Sequence, residues 1–303
     1  MTLDALIAAG AGRVQEHAPF GARTTYRVGG TARALVTLAN ARDLDELGPL
    51  IEASGRNVVV LGNGSNLLVA DGELDVVVVR LVGDFAELSW RDEENEVLVS
   101  AGAGLDLPVA ARRLSGEGIV GFEWAVGVPG TFGGAAVMNA GGHGSNMAAS
   151  VVQVRTWRAG QSRNWHLGDL DYGYRTSALP RGELVTGVTL SLTRGDPSAA
   201  REQLSEIVRW RREHQPGGAN AGSVFRNPHG DHAARLIEAA GCKGLRVGRA
   251  VVSEKHANFI IVDLAGRAQD VYELLRTVRE RVLTSSGIEL VLEHHLIGFG
   301  VDP

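Results

Sequence analysis

Residues 57–71 read NVVVLGNGSNLLVAD: an apolar run, a glycine-rich loop and a second apolar run. The apolar runs predict two strands, the first of them buried, because Val-rich segments bounded by Gly and Asn are typical of sheets. The residues before them predict a strand at 33–39 and an amphipathic helix at 43–54, with Asp43 at its start. The residues after them, DVVVVRL at 75–81, predict another strand. The stretch therefore predicts a βαββ unit with a glycine loop at the carboxyl end of a strand.

Antiparallel pairing is indicated from about 84 to 101, where FAELSW and EVLVSA alternate apolar and polar residues. A helix is predicted at 107–118 and strands at 151–157 and 183–193, and the composition changes at 195–200. Helices and a strand follow beyond that point. The sequence thus predicts an α+β chain of three domains, at residues 1–80, 81–195 and 196–303.

Composition narrows the class of protein. The 303 residues are 44% hydrophobic with a net charge of −5, which allows a sizeable core and gives no basic surface for nucleic acid. Cys242 is the single cysteine, and Asp4 stands where a signal peptide would carry a basic residue. No apolar run approaches the roughly 18–20 residues that span a bilayer. We expect a soluble cytoplasmic protein without a metal site.

The loop GNGSN at 62–66 presents successive backbone N–H groups together with Ser and Asn side chains. Such a nest suits a diphosphate, although a tight turn with the same residues is about as common. It is not a Walker A loop, because no Gly-Lys-Ser/Thr follows, and no helix opens directly after it as in a dinucleotide fingerprint.

A longer glycine-rich segment, GVPGTFGGAAVMNAG, occupies 127–141. Pro129 fixes one turn, and glycines at 130, 133 and 134 leave a surface without side chains before the segment becomes helical at AAVM. This surface can lie against a flat ring system or a second phosphate. A tightly packed helix start is the alternative.

Ser223 lies in ANAGSVFRNP at 219–228, after Gly222 and before the apolar pair Val224-Phe225, which resembles the start of a buried strand. Its hydroxyl suits a nucleophile, a turn-former or a proton donor. Serine among Asn and Gly is most often a turn residue that bonds its own backbone.

Several motifs occur in an order that resembles the UDP-N-acetylenolpyruvoylglucosamine reductase (MurB) family. They are YRVGG (26–30), VLGNGSNLLV (60–69), GVPGTFGGAAVMNAG (127–141), YRTS (174–177), AGSVFRNP (221–228) and VSEKHANFIIV (252–262). The resemblance implies a flavoenzyme of peptidoglycan precursor synthesis, with an FAD-binding fold of the vanillyl-alcohol-oxidase/PCMH type followed by a smaller α+β substrate-binding domain. The short connection after YRTS resembles the subtype that lacks an extra tyrosine-bearing loop.

The same resemblance implies noncovalent FAD, NADPH as co-substrate, small-molecule substrates and a monomer. In that pattern the cofactor-binding positions are Gly62, Asn63, Gly64, Ser65, Asn66, Gly127, Val128, Thr131, Gly133, Gly134, Ala135 and Asn139.

The implied reaction adds hydride to an enolpyruvyl double bond and then protonates the carbon beside the carboxylate, which calls for a cation on that carboxylate and a proton donor. The family's catalytic positions correspond to Arg175, Ser223 and Glu293. A guanidinium suits the carboxylate. Ser223 suits the proton donor, since hydride addition needs no acyl intermediate. Further substrate contacts are expected at Arg211 (hard to separate from Arg212), Asn227, Lys243 and His256.

The chain departs from the family at its end. The usual pattern is Leu-Glu-x-Glu-Val-Arg, whereas Val291 replaces the first Glu and His294-His295 replaces Val-Arg around the retained Glu293. Two other readings stay open, an FAD oxidase of the same fold and a noncatalytic nucleotide-sugar-binding homologue. The loop GNGSN at 62–66, called the phosphate loop below, has no His or Cys for covalent flavin, which favours the reductase.

Overall fold

The computed structural model describes residues 3–180 and 182–300. The α-helices are α1 Leu3–Ala9, α2 Ala41–Ala53, α3 Leu107–Gly116, α4 Phe132–Met138, α5 Pro197–His214, α6 Ala233–Ala239 and α7 Ala268–Ser286. The strands are β1 Val14–Pro19, β2 Thr31–Leu38, β3 Asn57–Val60, β4 Leu67–Val69, β5 Glu73–Leu81, β6 Leu88–Asp92, β7 Val97–Gly102, β8 Ile119–Val120, β9 Gly141–Gly142, β10 Ser145–Asn146, β11 Val151–Arg158, β12 Gln161–His166, β13 Leu184–Arg194, β14 Arg246–Val247, β15 Ala250–Val252, β16 Ile260–Val262 and β17 His295–Ile297.

The first sheet has the strand order β1-β2-β5-β3 and contains the βαββ unit that the sequence predicts. β3 and β5 are parallel, with Val58 opposite Val77. The expectation that β3 is buried is wrong on one face, because Val58 is 36% and Val60 46% exposed while Val59 lies in the core. β3 is an edge strand of this sheet, and the face that carries Val58 and Val60 is open to solvent rather than covered by a packed element.

Helix α2 begins at Ala41, two residues before the predicted start at Asp43. Asn40 is its N-cap, and the Asn40 side chain accepts a hydrogen bond from the Asp43 backbone N–H at 3.0 Å. The Asp43 carboxylate is buried in the first turn, where it pairs with Arg13 at 2.6 Å. Asp43 thus anchors the helix from inside its first turn.

The second sheet has the order β12-β11-β13-β7-β6, and β8 also pairs with β13. Its pairs are antiparallel, which confirms the pairing predicted between residues 84 and 101. Helices α3 and α4 pack with this sheet in one hydrophobic core, where the Phe122 and Phe132 rings stack at 5.5 Å. This packing anchors Phe132, which belongs to the glycine-rich segment at 127–141, against the second sheet.

A separate core forms around α7, whose apolar face packs on the small sheet β14-β15-β16. Val271, Leu274 and Val278 are fully buried there. The helix ends where Gly287 adopts φ +70°, a left-handed conformation that favours glycine. β17 pairs in parallel with β4, so residues from near the carboxyl end stand beside the segment that follows the phosphate loop.

The chain divides into two compact units. Unit 1 comprises residues 1–16, 34–63 and 75–211, and unit 2 comprises residues 17–33, 64–74 and 212–303. These units differ from the three contiguous domains that the sequence predicts, because two short segments of the first hundred residues pack with the carboxyl-terminal part. The subdivision at residue 80 stays a prediction.

Candidate active site

The first two residues of the phosphate loop line a cleft in unit 1. This cleft has a volume of about 260 Å³, and its walls include Gly62, Asn63, Gly104, Asp106 and Thr131. The Asn63 amide donates to Asp106 Oδ1 at 2.7 Å. A Cβ on Gly62 would lie 2.5 Å from Thr131 Oγ1, so glycine is needed for this close approach. The structure therefore brings three of the predicted cofactor residues together.

The other three loop residues belong to unit 2. Gly64 has φ +62°, and its carbonyl accepts from the Thr25 N–H at 3.2 Å. Asn66 contacts the segment of Glu293 twice, since its amide Nδ2 donates to the Glu293 carbonyl at 3.0 Å and its own carbonyl accepts from the His295 N–H at 2.9 Å. Asn66 thus holds the segment of Glu293 through its side chain and its backbone.

The segment at 127–141 presents one open face and one packed face. Gly134 is exposed on α4, and a Cβ there would meet no atom of the described residues within 4 Å. Gly127 is buried, and a Cβ on it would lie 2.7 Å from the His143 ring. Asn139 is buried at φ +42°, with its amide bonded to the Gly173 carbonyl at 2.9 Å and the Ala148 N–H at 3.0 Å.

Among the remaining predicted cofactor positions in this segment, Ala135 is buried, whereas Val128 and Gly133 are half-buried. A Cβ on Gly133 would lie 3.2 Å from Ala103. The packed positions shape the segment, and the open surface at Gly134 is free to face a ligand.

Arg175 lies in unit 1, in a loop fastened to the end of α4. Its Nη2 donates to the Gly141 carbonyl at 3.2 Å, its guanidinium lies 5.2 Å from the centre of the Tyr174 ring, and Ser177 Oγ donates to the Val137 carbonyl at 2.7 Å. Arg175 itself has φ +59°, an uncommon conformation for a residue with a side chain. Left-handed non-glycine residues cluster at functional sites, and Asn139 belongs to the same group.

Ser223 and Glu293 lie together in unit 2. Phe225 and Leu292 form an antiparallel bridge, the Glu293 N–H donates to the Val224 carbonyl at 2.8 Å, and the Arg226 N–H donates to the Val291 carbonyl at 2.8 Å. The buried strand predicted to start at Val224-Phe225 is therefore a short bridge, in which both residues are buried. It places the expected proton donor and the expected carboxylate on two segments joined by their backbones.

The Ser223 hydroxyl does not make the turn in which it lies. Gly222 adopts φ +80°, and its N–H donates to Asn220 Oδ1 at 3.1 Å. Within the described part of the chain Ser223 Oγ has no hydrogen-bond partner, so it is not the backbone-bonded turn serine that composition alone favours.

Asn258 is a residue that the sequence interpretation missed. It is 3% exposed; its carbonyl accepts from the Val224 N–H at 2.9 Å, and its amide bonds both the N–H and the carbonyl of Phe225, at 3.0 and 2.8 Å. It therefore fixes the backbone directly after Ser223. The only signal in the sequence is an Asn among apolar residues, which does not identify a partner 33 residues away.

His294 was read from the sequence only as a departure from the family pattern, yet it is 5% exposed. Its Nε2 lies 3.1 Å from the Ala221 carbonyl, and its ring meets the Tyr26 ring edge-on at 5.7 Å. Burial lowers the pKa of His294 to about 4, and the charge of His295 acts in the same direction. Among the described residues, His294 Nδ1 and the Tyr26 hydroxyl are buried without a hydrogen-bond partner. Burial also raises the pKa of Tyr26.

The expected substrate contacts fall in both units. Arg211, in unit 1, is half-buried, and burial lowers its pKa, whereas Arg212 is exposed. In unit 2, Lys243 Nζ lies 3.0 Å from Glu238 Oε1, and the His256 ring meets the Phe259 ring at 4.7 Å. Burial, with a smaller contribution from the charge of Lys243, lowers the pKa of His256.

Asn227 has a structural partner, since its Oδ1 accepts from the Ala233 N–H at 3.0 Å at the start of α6. Its amide Nδ2 has no partner within the described residues and can still donate to a ligand.

Comparison with known proteins gives the family. Residues 214–297 match the family described as UDP-N-acetylenolpyruvoylglucosamine reductase, C-terminal domain, and residues 32–160 match the FAD binding domain. A UDP-N-acetylenolpyruvoylglucosamine reductase of Paramagnetospirillum magneticum is 42% identical over 296 residues, which cover 96% of this chain and 94% of that protein. The chain belongs to the UDP-N-acetylenolpyruvoylglucosamine reductase family.

Solved structures agree with this family. The UDP-N-acetylenolpyruvylglucosamine reductase of Thermus caldophilus superposes with a TM-score of 0.80 at 36% identity, covering 94% of this chain and 99% of that one. The BBE-like 1 protein of Physcomitrella patens, 13% identical with a TM-score of 0.55 and covering 94% and 89% of the two chains, shares the fold alone. The predicted fold class is confirmed: α+β, with an FAD-binding fold of the vanillyl-alcohol-oxidase/PCMH type and a reductase C-terminal domain.

The residues of this reductase-family chain fit an FAD. The cleft at Gly62 and Asn63 is lined by backbone and small polar groups, and the bare surface at Gly134 offers a second approach without side chains. No helix within residues 3–180 and 182–300 combines the length and apolar character needed to cross a membrane.

Proposed function

We propose that this chain reduces UDP-N-acetylglucosamine enolpyruvate to UDP-N-acetylmuramate, with NADPH as reductant and noncovalent FAD as cofactor, in peptidoglycan precursor synthesis. The observation that carries the proposal is the backbone pairing of residues 224–226 with 291–293, which joins the segments of Ser223 and Glu293. Membership of the reductase family supports the same reaction. We also propose that the protein works as a cytoplasmic monomer of the shorter subtype.

Each catalytic side chain has a distinct task in this proposal. Bound FAD, once reduced by NADPH, supplies the hydride. The Arg175 guanidinium binds the substrate carboxylate, into which the negative charge of the adjacent carbon is delocalised. Ser223 donates the proton to that carbon; its hydroxyl has no hydrogen-bond partner among the described residues, and Gly222 beside it has no side chain to obstruct a close approach. Glu293 acts on the substrate from the segment paired with residues 224–226, by polarising it or by relaying a proton.

Cations and amides bind the rest of the substrate. Arg211, Lys243 and His256 are assigned to it because their groups suit phosphate and sugar oxygens, and the half-burial of Arg211 favours it over the exposed Arg212. Asn227 contributes its Nδ2, since its Oδ1 is bonded to the Ala233 N–H.

The flavin is assigned to the loop at 62–66 and the segment at 127–139. Gly62, Asn63 and Thr131 line the cleft, while Gly64, Ser65 and Asn66 continue the loop. In the second segment Val128, Gly133, Gly134 and Ala135 follow the buried turn at Gly127, and Asn139 closes α4.

Replacing Gly134 with Ala separates cofactor binding from folding. Alanine is favoured over glycine inside a helix by about 0.5–1 kcal/mol, and its Cβ meets no atom within 4 Å in the described part of the chain, so the flavin-free protein should be equally or slightly more stable. If Gly134 faces FAD, the methyl group weakens FAD binding by at least about tenfold, the effect of roughly 1.4 kcal/mol.

The matched control is Gly116→Ala at the end of α3, where a Cβ also meets nothing within 4 Å. Thermal unfolding of the flavin-free proteins and titration of FAD fluorescence measure the two quantities. FAD affinity in Gly134→Ala equal to that of the Gly116 variant would remove Gly134 from the cofactor site.

The reaction itself is tested by anaerobic spectroscopy of the purified holoprotein. NADPH should bleach the flavin absorbance, and subsequent addition of UDP-N-acetylglucosamine enolpyruvate should restore it with formation of the lactyl ether. A flavin that only dioxygen reoxidises indicates the oxidase alternative. Substrate binding without any bleaching indicates the noncatalytic homologue.

A further inference from the structure

We propose that His294 is a positioning residue for the proton donor, acting by holding the turn at 221–223 onto the segment of Glu293. The proposal rests on the proposed function, in which Ser223 donates the proton. The contacts that carry it lie within unit 2.

The turn that bears Ser223, residues 220–223, is held by hydrogen bonds on both sides and at one point within it. Before it, the Ala219 carbonyl accepts from the Val262 N–H at 3.0 Å; after it, Val224 is bonded to Asn258 and Glu293. Among the hydrogen bonds of the described residues, the contact of His294 Nε2 with the Ala221 carbonyl is the one that ties residues 220–223 to another segment. Removing it leaves these residues tethered only at their flanks.

The hydrogen bond between His294 and Ala221 matters because the next residue, Gly222, is conformationally free. Glycine at φ +80° has access to more backbone conformations than any other residue, so a turn centred on it needs an external contact to hold one geometry. The Asn220 side chain bonds the Gly222 N–H at 3.1 Å, but this bond closes the turn locally and does not fix it to the protein. The imidazole supplies the missing connection, two residues before the hydroxyl of Ser223.

The His294 ring is suited to donate a permanent hydrogen bond to the Ala221 carbonyl. A carbonyl only accepts, so the neutral His294 ring carries its proton on Nε2 and donates it to Ala221. The groups that face the ring are the Ala221 carbonyl and the Tyr26 ring, with His295 next along the chain. Because burial lowers the pKa of His294 to about 4, the ring stays neutral at neutral pH and positions the turn without adding charge beside Glu293.

The test compares His294→Leu, which removes the donor, with His294→Gln, whose amide nitrogen can reach the same carbonyl. Stopped-flow absorbance of the holoenzyme follows reduction by NADPH and reoxidation by UDP-N-acetylglucosamine enolpyruvate separately. We expect the Leu variant to be reduced normally and reoxidised about 10–100-fold more slowly, because a displacement of about 1 Å at a reacting group is enough to lose about 100-fold. The Gln variant should recover most of that rate.

Tyr26→Phe is the packing control, since it changes the same buried contact, removes a hydroxyl that has no partner among the described residues and leaves the Ala221 bond in place. It should be reoxidised at the wild-type rate. Equal slowing in Tyr26→Phe and His294→Leu would show a general packing effect and overturn the positioning role.

A double-mutant cycle with Ser223→Ala isolates the route of action. If His294 acts through Ser223, His294→Leu should slow reoxidation by less than about twofold in the Ser223→Ala background, because no donor remains to be positioned. Undiminished slowing in that background overturns the proposal, as does wild-type reoxidation of the His294→Leu single variant. Wild-type reoxidation of Ser223→Ala alone would instead remove the proton-donor assignment on which the proposal rests.

Discussion

Ser223→Ala should keep its FAD and be reduced by NADPH at close to the wild-type rate, while its reoxidation by UDP-N-acetylglucosamine enolpyruvate slows by at least about 100-fold. The expectation follows from chemistry, because removing a positioned general acid typically slows the step that it serves by about 10²–10⁴-fold. A hydroxyl is a weak acid and can protonate only a strongly basic carbon. The carbon beside the carboxylate becomes such a centre once hydride has been delivered.

Stopped-flow reoxidation in deuterium oxide, with the position of the label determined in the product, measures this step directly. Ser223→Cys should retain part of the activity, because a thiol also donates a proton. Ser205→Ala is the control, since that exposed hydroxyl donates to the Arg201 carbonyl of its own helix and has no other hydrogen-bond partner among the described residues. A Ser223→Ala variant that is reoxidised at the wild-type rate and labelled on the same face would show that the hydroxyl is a bystander.

The second large effect concerns acid stability. Lowering the pH from 7 to 4 should remove about 3 kcal/mol from the free energy of unfolding through His294 alone. The ordinary pKa of 6.5 applies to the unfolded chain and a pKa of about 4 to the folded one. Because the pKa of His294 is lower in the folded protein, the unfolded chain binds a proton below pH 6.5 that the buried ring does not bind. The contribution of the neutral His294 ring to the free energy of unfolding is therefore complete above pH 6.5 and is lost as the pH falls towards 4.

Urea unfolding at pH 7 and pH 4 measures the difference in wild type, His294→Leu and Tyr26→Phe. Carboxylates contribute to the acid sensitivity of all three proteins equally, so the Leu variant should lose about 3 kcal/mol less than the other two. An equal loss in all three proteins would mean that the ring is protonated in the folded state well above pH 4.

The sequence predicted the parts of the fold that depend on local pattern. Alternation identified the antiparallel strands around β6 and β7, and the Val-rich runs identified β3 and β5. The burial of β3 was mispredicted because an unbroken apolar run, Val58 to Leu61, is typical of a strand buried on both faces. β3 instead lies at the edge of its sheet, with Val58 and Val60 exposed on one face. Edge or centre is decided by pairing over long distances, which a local pattern does not contain.

In the candidate site, too, local motifs could be predicted from the sequence and long-range contacts could not. Motifs predict Ser223 and Glu293 as site residues, but the contacts that hold their segments come from Asn258 and Asn66, whose partners lie 33 and 227 residues away. The sequence shows His294-His295 only as a departure from the family pattern, and the fold is needed to show that His294 is buried and His295 exposed. The discontinuous units escaped prediction for the same reason, because composition changes at residue 195 but does not record that 64–74 packs with later segments.

The parallel pairing of β17 with β4 also determines when the site can assemble during synthesis. Contacts across more than two hundred residues form late, because the chain closes such long loops slowly and a ribosome adds only about 5–20 residues each second. Until residues 293–297 emerge from the ribosome, β4 and Asn66 lack their partners, and the phosphate loop leads into an unpaired strand. The nascent chain therefore depends on β17 to complete unit 2, and a frameshift or stop codon shortly before Glu293 would leave the edge of β4 unpaired and open to aggregation.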